Sequence, residues 1–142
     1  MNIDSLLVSE FARAEAEGKL TIVGAFHQLS APGFPVRVPD LYISLIIHGH
    51  AGDAGTEHQV EIQLVEARRR VLSEFQVPVT MPPGPALPGL PLRLAMVVKV
   101  DNVVFPTPGP YAFEVLIDGV YHAGTALYAS LPEPQSDRRD PG

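Results

Sequence analysis

The sequence predicts an all-β chain folded as an antiparallel two-sheet β-sandwich of about seven or eight short strands. Three observations predict it. Apolar and polar residues alternate with a period of two along most of the chain, the signature of half-buried strands. Turn-forming dipeptides separate those runs. Proline and glycine, 15 and 12 of 142 residues, leave little room for long helices.

The first element is open to two readings. Leu6, Leu7, Phe11 and Ala14 have helical spacing, with Asp4 as a cap and Gly18 as a stop, yet Leu6-Leu7-Val8 also suits a strand. Glu17-Gly18 reads as a tight turn into a strand over Leu20–Phe26, with Leu20, Ile22 and Phe26 inward. Leu41, Ile43, Leu45 and Ile47 share the inner face of the next strand. There Tyr42 and Ile46 make the outer face apolar as well, so burial on both sides is expected. Val60, Ile62 and Leu64 face inward opposite Glu61 and Gln63, and Val71, Phe75 and Val77 give another strand. Residues 78–91 hold Pro78, Pro82, Pro83, Pro85, Pro88 and Pro91, and they read as a stiff crossing loop outside any sheet. Leu92–Val100 and Tyr111–Ile117 alternate again, and Asp118-Gly119 signals a type I′ hairpin into Val120–Ala129. The division expected is a sandwich domain over 1–131 and a disordered polar tail over 132–142.

Composition limits the function classes. With no cysteine there is no disulfide, thiolate nucleophile or cysteine-based metal site. A net charge of −6 argues against general nucleic-acid binding. The one basic cluster, Arg68-Arg69-Arg70, reads as a solvated hairpin tip. No apolar run reaches the ~20 residues of a membrane span, and no signal peptide opens the chain, so a cytoplasmic location is expected.

Two resemblances sharpen the fold. Gly109-Pro110-Tyr111-Ala112-Phe113-Glu114-Val115 follows a strand and a corner. It resembles the start of the sixth strand of immunoglobulin-like folds, where a tyrosine hydroxyl ties the corner to upstream backbone; Tyr111 is the candidate. The ordered set Gly18-Lys19-Leu20, Gly24, Phe26, Phe34-Pro35, Phe105-Pro106, Gly109, Tyr111, Phe113, Val115 and Asp118-Gly119 resembles a family of small bacterial proteins known only as a domain of unknown function. The resemblance covers roughly residues 5–130. It implies a cytoplasmic sandwich whose first segment is a strand, and it brings no catalytic residues. Members often carry an Asp-containing turn where this chain has Glu66-Ala67-Arg68-Arg69-Arg70.

No nucleophile elbow and no phosphate loop occurs in the sequence. The residues able to carry chemistry are histidines. His48 and His50, two apart, share one face of a strand with Cα atoms ~6.5 Å apart, a spacing at which two imidazoles chelate one metal. Glu57 and His58 return across a glycine-rich connection and complete a four-residue set for a small metal-dependent enzyme. A third reading places a small-molecule pocket between the sheets, with Tyr42, Tyr121 and Tyr128 as polar handles.

The leading expectation is different. Sandwich edges need cover or a partner, Lys19 and Lys99 are the only lysines, and Leu41–Ile47 and Leu92–Val98 are apolar beyond what one core needs. The sequence therefore points to a non-enzymatic binding or assembly module without a cofactor. It would work through strand edges and loops 49–56 and 78–91, with a protein partner or another copy of itself. Cover of the apolar surface by the proline-rich loop is the competing account.

Overall fold

Each alternating run forms a strand. The computed structural model describes residues 1–133. Its strands are β1 (Asn2–Ala14), β2 (Leu20–Ala25), β3 (Gln28–Ser30), β4 (Val36–Gly49), β5 (Glu57–Glu66), β6 (Val71–Thr80), β7 (Leu92–Phe105), β8 (Gly109–Ile117) and β9 (Val120–Ser130). They make a four-stranded sheet, β2-β1-β4-β7, and a five-stranded sheet, β3-β9-β8-β5-β6. One core joins them: Ile43, Leu45 and Ile47 of β4 with Val60, Ile62 and Leu64 of β5 and Phe113, Val115 and Ile117 of β8, all at most 2% exposed.

The first segment is strand, as the family resemblance implies: Ile3, Leu6 and Val8 pair with Ile47, Leu45 and Ile43 across the core face, with a bulge between Ile3 and Ser5. Three expectations need correction. Nine strands replace seven or eight; β3, three residues long, is too short to leave a period. The sandwich is not wholly antiparallel, since β3 runs parallel to β9, with Gln28 opposite Tyr128. Pro78 lies inside β6, opposite Gln59; β6 pairs only with β5 among the described residues, so its outer edge accepts a residue without an N–H. The tail expected over 132–142 lies outside the described residues from 134 onward.

The corner before β8 forms as expected. The Tyr111 hydroxyl donates to the Thr107 carbonyl and accepts from the Thr107 amide at 3.2 Å. Its ring meets Phe105 edge-on, with centroids 5.0 Å apart. The Asp118-Gly119 hairpin has φ of 52° and 83°, the left-handed pair a type I′ turn requires.

The four-stranded sheet is not flat. β1 pairs with β4 from Asn2 to Ser9 and with β2 from Ser9 to Ala14. Asn2 lies opposite His48, and His48 opposite Arg93. A straight β1 would carry Ala14 ~40 Å from Asn2. Instead the Arg93 guanidinium donates to the carbonyl of Gly18, at the tip of the β1–β2 hairpin. The hairpin must therefore double back over the outer face of β4 towards the start of β7. Phe11 meets Tyr42 at the bend, ring centroids 5.3 Å apart. Ala12 and Ile22, opposite each other, are buried and half-buried on the covered side, while Phe11 and Val23 face solvent. This explains why Ser44 and Ile46, which alternate with the core residues, are only 1% and 9% exposed. Glu17 and Gly18 allow the tip by taking φ of 64° and 74°.

Among the described residues the cover over β4 is thus the chain's own hairpin and not the proline loop. It leaves the Ser44 hydroxyl buried without a hydrogen-bond partner. Two hydroxyl deletions should consequently differ in sign. Tyr111→Phe loses both corner hydrogen bonds and should cost about 1–2 kcal/mol in urea unfolding. Ser44→Ala removes an unsatisfied buried group and should be neutral or stabilising by up to about 1 kcal/mol in the same titration.

Candidate interaction surface

The two long sides of the sandwich differ. On one side β1 and β9 approach each other from opposite sheets, the Phe26 amide donates to the Val8 carbonyl at 2.9 Å, and β3 adds to β9. That side is closed. On the other side β6 and β7 are outermost strands of their sheets, and among the described residues each pairs on one edge only.

Core-facing residues register the difference. On β7, Leu94, Met96 and Val98 point inward, opposite Ile47, Leu45 and Ile43. On β6, Phe75 and Val77 do the same opposite Ile62 and Val60. Their neighbours on β4 and β5 are at most 1% exposed, yet these five are only half-buried. An apolar mouth therefore runs between two strand edges. β6 is guarded by Pro78 and carries outward Glu74 and Gln76. β7 has no proline from Leu92 to Phe105, and only Arg93 and Lys99 are basic along it. Its regular pairing holds from Leu92 to Asp101; the Pro39 and Asn102 positions then drop out of the ladder, with Asn102 at φ 56°. A ten-residue edge of unpaired N–H and C=O groups is the result.

The outer faces also contrast. That of the five-stranded sheet is polar about β5, where Gln63 donates to Glu61 at 2.9 Å and Arg69 reaches from the β5–β6 turn to Glu114 on β8, also at 2.9 Å, while Tyr121 and Tyr128 lie exposed on β9. Arg70 pairs with Glu66, so two of the three arginines of the basic cluster neutralise local carboxylates. Glu114 is 8% exposed, and pairing accounts for its burial.

The four residues expected to hold a metal do not come together, and among the described residues no three His, Asp or Glu side chains converge to hold one. His48 and His50 border a recess of about 370 Å³ with Met1 and Asn2 at one end of the sandwich. Glu57 is exposed opposite Thr80. His58 turns to other partners: Nδ1 lies 2.6 Å from Asp118 Oδ2 and Nε2 lies 2.6 Å from Thr56 Oγ1, so both ring nitrogens are engaged. Asp118 also accepts the Gln59 amide at 2.9 Å. The unit latches the β8–β9 turn to the start of β5 across sixty positions, a separation at which no spacing in the sequence reveals it.

The three tyrosines expected between the sheets are all outside the core. Tyr42 packs on Phe11 under the hairpin bend, and Tyr121 and Tyr128 are 55% and 51% exposed on β9. The space between the sheets is filled by Ile43, Leu45, Ile62, Phe113 and Val115 instead. A groove of about 710 Å³ lies outside it, where the proline-rich loop (Pro82, Leu87, Leu90) meets the hairpin tip at Gly18.

Fold and surfaces together define a β-sandwich with one closed and one open side. The model of the family of unknown function DUF6941 matches residues 4–130, and the chain belongs to that family. No curated protein matches it. Among the described residues no helix is long and apolar enough to cross a membrane.

The His58 hydrogen bond, and after it the Gln59 amide, hold the Asp118 carboxyl below its ordinary range. A depressed folded-state value means that the latch stabilises above the unfolded carboxylate range, about pH 4, and that this stability is lost as pH falls through the lower folded value. Asp118→Asn keeps a side chain suited to the turn and an acceptor for Gln59. Thermal unfolding followed from pH 6 downwards should show a shallower acid loss in the variant than in the parent, with the difference concentrated below about pH 4.

Proposed function

We propose that this chain is a binding or assembly module, of immunoglobulin-like architecture, that docks a protein partner through the open β6–β7 side. One observation carries the reading: the core-facing residues Leu94, Met96 and Val98 of β7 are half-buried along a long regular edge that is unpaired among the described residues. A strand laid along β7 would satisfy its backbone groups and close the mouth over Leu94, Met96 and Val98. The architecture is supported by the Tyr111 corner. The histidine reading finds no such support, because His58 is committed to Asp118 and Thr56.

Met96→Lys places an inward charge at the mouth, a device by which natural edges avoid pairing, and its stem has room to reach solvent. The variant should fold with a loss of about 1–3 kcal/mol. Affinity capture from the chain's own cells, read by quantitative mass spectrometry, should recover polypeptides with the parent that Met96→Lys loses. Gln63→Lys, on the polar outer face of the five-stranded sheet, should retain them. Equal recovery with both variants rejects docking at the open side.

A further inference from the structure

We infer that the partner on β7 is β7 of a second copy, paired antiparallel and centred on Val97. This rests on the docking reading above and names its occupant. In an antiparallel pair, directly opposite residues lie on the same face of the sheet. The inward set on β7 is Leu92, Leu94, Met96 and Val98, and the outward set is Arg93, Ala95, Val97 and Lys99. To keep both apolar mouths on one side of the joined sheet, outward residues must meet outward residues. The two-fold axis then passes through a residue, not between two.

Charge selects among the remaining registers. Centred on Met96, Arg93 would face Lys99 of the second copy, a like-charge pair occurring twice. Centred on Ala95 or Val98, Arg93 would face Val97 or Val103, and no charge is matched. Centred on Val97, Arg93 faces Asp101 of the second copy in both halves. The inward residues match as well: Met96 meets Val98, and Leu94 meets Val100, so every half-buried inward side chain of β7 gains an apolar neighbour. Both charged groups are available. Arg93 commits Nη1 to Gly18, leaving its other donors free, and Asp101 is 62% exposed with Lys99 at 3.7 Å. The paired stretch reaches from Leu92 to the irregularity at Asn102, and a ladder of that length forms about ten hydrogen bonds, the number of a typical specific interface. The product is one continuous eight-stranded sheet, counted from two four-stranded sheets.

The chain has no cysteine, so single-cysteine cross-linking reads the register directly. At the centre, the two copies of position 97 have Cα atoms ~4.5–5.5 Å apart, within disulfide range. Position 95 is displaced from its own copy by four residues, ~13 Å along the strands, and cannot cross-link. Val97→Cys should therefore form a disulfide-linked dimer under mild oxidation, and Ala95→Cys should not. In sedimentation of the full chain, Arg93→Asp should weaken dimerisation about tenfold, and the double change Arg93→Asp with Asp101→Arg should restore it. A chain that stays monomeric up to about 100 μM overturns self-pairing. Cross-linking by Ala95→Cys in preference to Val97→Cys overturns the register. If the pure chain is monomeric while Met96→Lys still loses captured polypeptides, self-pairing falls and docking at the open side stands. If Met96→Lys loses nothing and the chain is monomeric, both fall.

Discussion

The structure depends on the burial of β4 from both faces. Ile43, Leu45 and Ile47 pack towards the five-stranded sheet, while Ser44 and Ile46 lie beneath the doubled-back β1–β2 hairpin. A two-layer sandwich thus becomes three layers over its central strand. The third layer is short and needs its own fastenings: the left-handed pair at Glu17 and Gly18, the Phe11–Tyr42 contact at the bend, and Arg93 holding the tip. The Ser44 hydroxyl shows what the arrangement costs, since the same cover that excludes water leaves it without a partner.

With β4 covered, core-facing apolar residues remain half-buried along one side of the sandwich. The closed side joins β1, β3 and β9; the open side ends in β6 and β7. Natural sheets guard such ends, and here the guarding is unequal, with Pro78 on β6 and a long regular run on β7. On the outer face of the five-stranded sheet Gln63 pairs with Glu61 and Arg69 with Glu114. Among the described residues the β7 edge is the longer unpaired edge of the four-stranded sheet, beside exposed Phe11 and Val23 on the hairpin and Tyr121 and Tyr128 on β9.

Much of the fold was legible because period-two patterning is a local property. Val60, Ile62 and Leu64, the Asp118-Gly119 turn and the Tyr111 corner each carry their signal within a few residues. Double burial of β4 was legible too, from Tyr42 and Ile46, but not the identity of its cover. That depends on a bend at Ser9, where nothing in the residues marks a change of pairing partner. The ordered motif set settled strand over helix for the first segment, where spacing alone was balanced. Pro78 misled because a missing N–H excludes only a central strand, and sequence does not say which strands are edges. The candidate chemistry was least legible. His58 was grouped with His48 and His50 by proximity in the chain, whereas its partner Asp118 is brought to it by the β5–β8 ladder and the following turn.

The parallel pairing of β3 with β9 sets a condition on how the chain reaches this state. Gln28 lies beside Tyr128, and Ser30 beside Ser130, so the start of the sequence is fastened by its far end. Local hairpins such as β1–β2, β5–β6 and β8–β9 close over short distances, but this contact spans the separation from Gln28 to Tyr128. During synthesis, the closed side cannot be sealed until the last strand has emerged from the ribosome. Until then β1 lacks the neighbour that approaches it from the opposite sheet, while β4 already has β5 and β8 to pack against. The seal on that side is therefore made late, after the β1–β2 and β5–β6 hairpins can form.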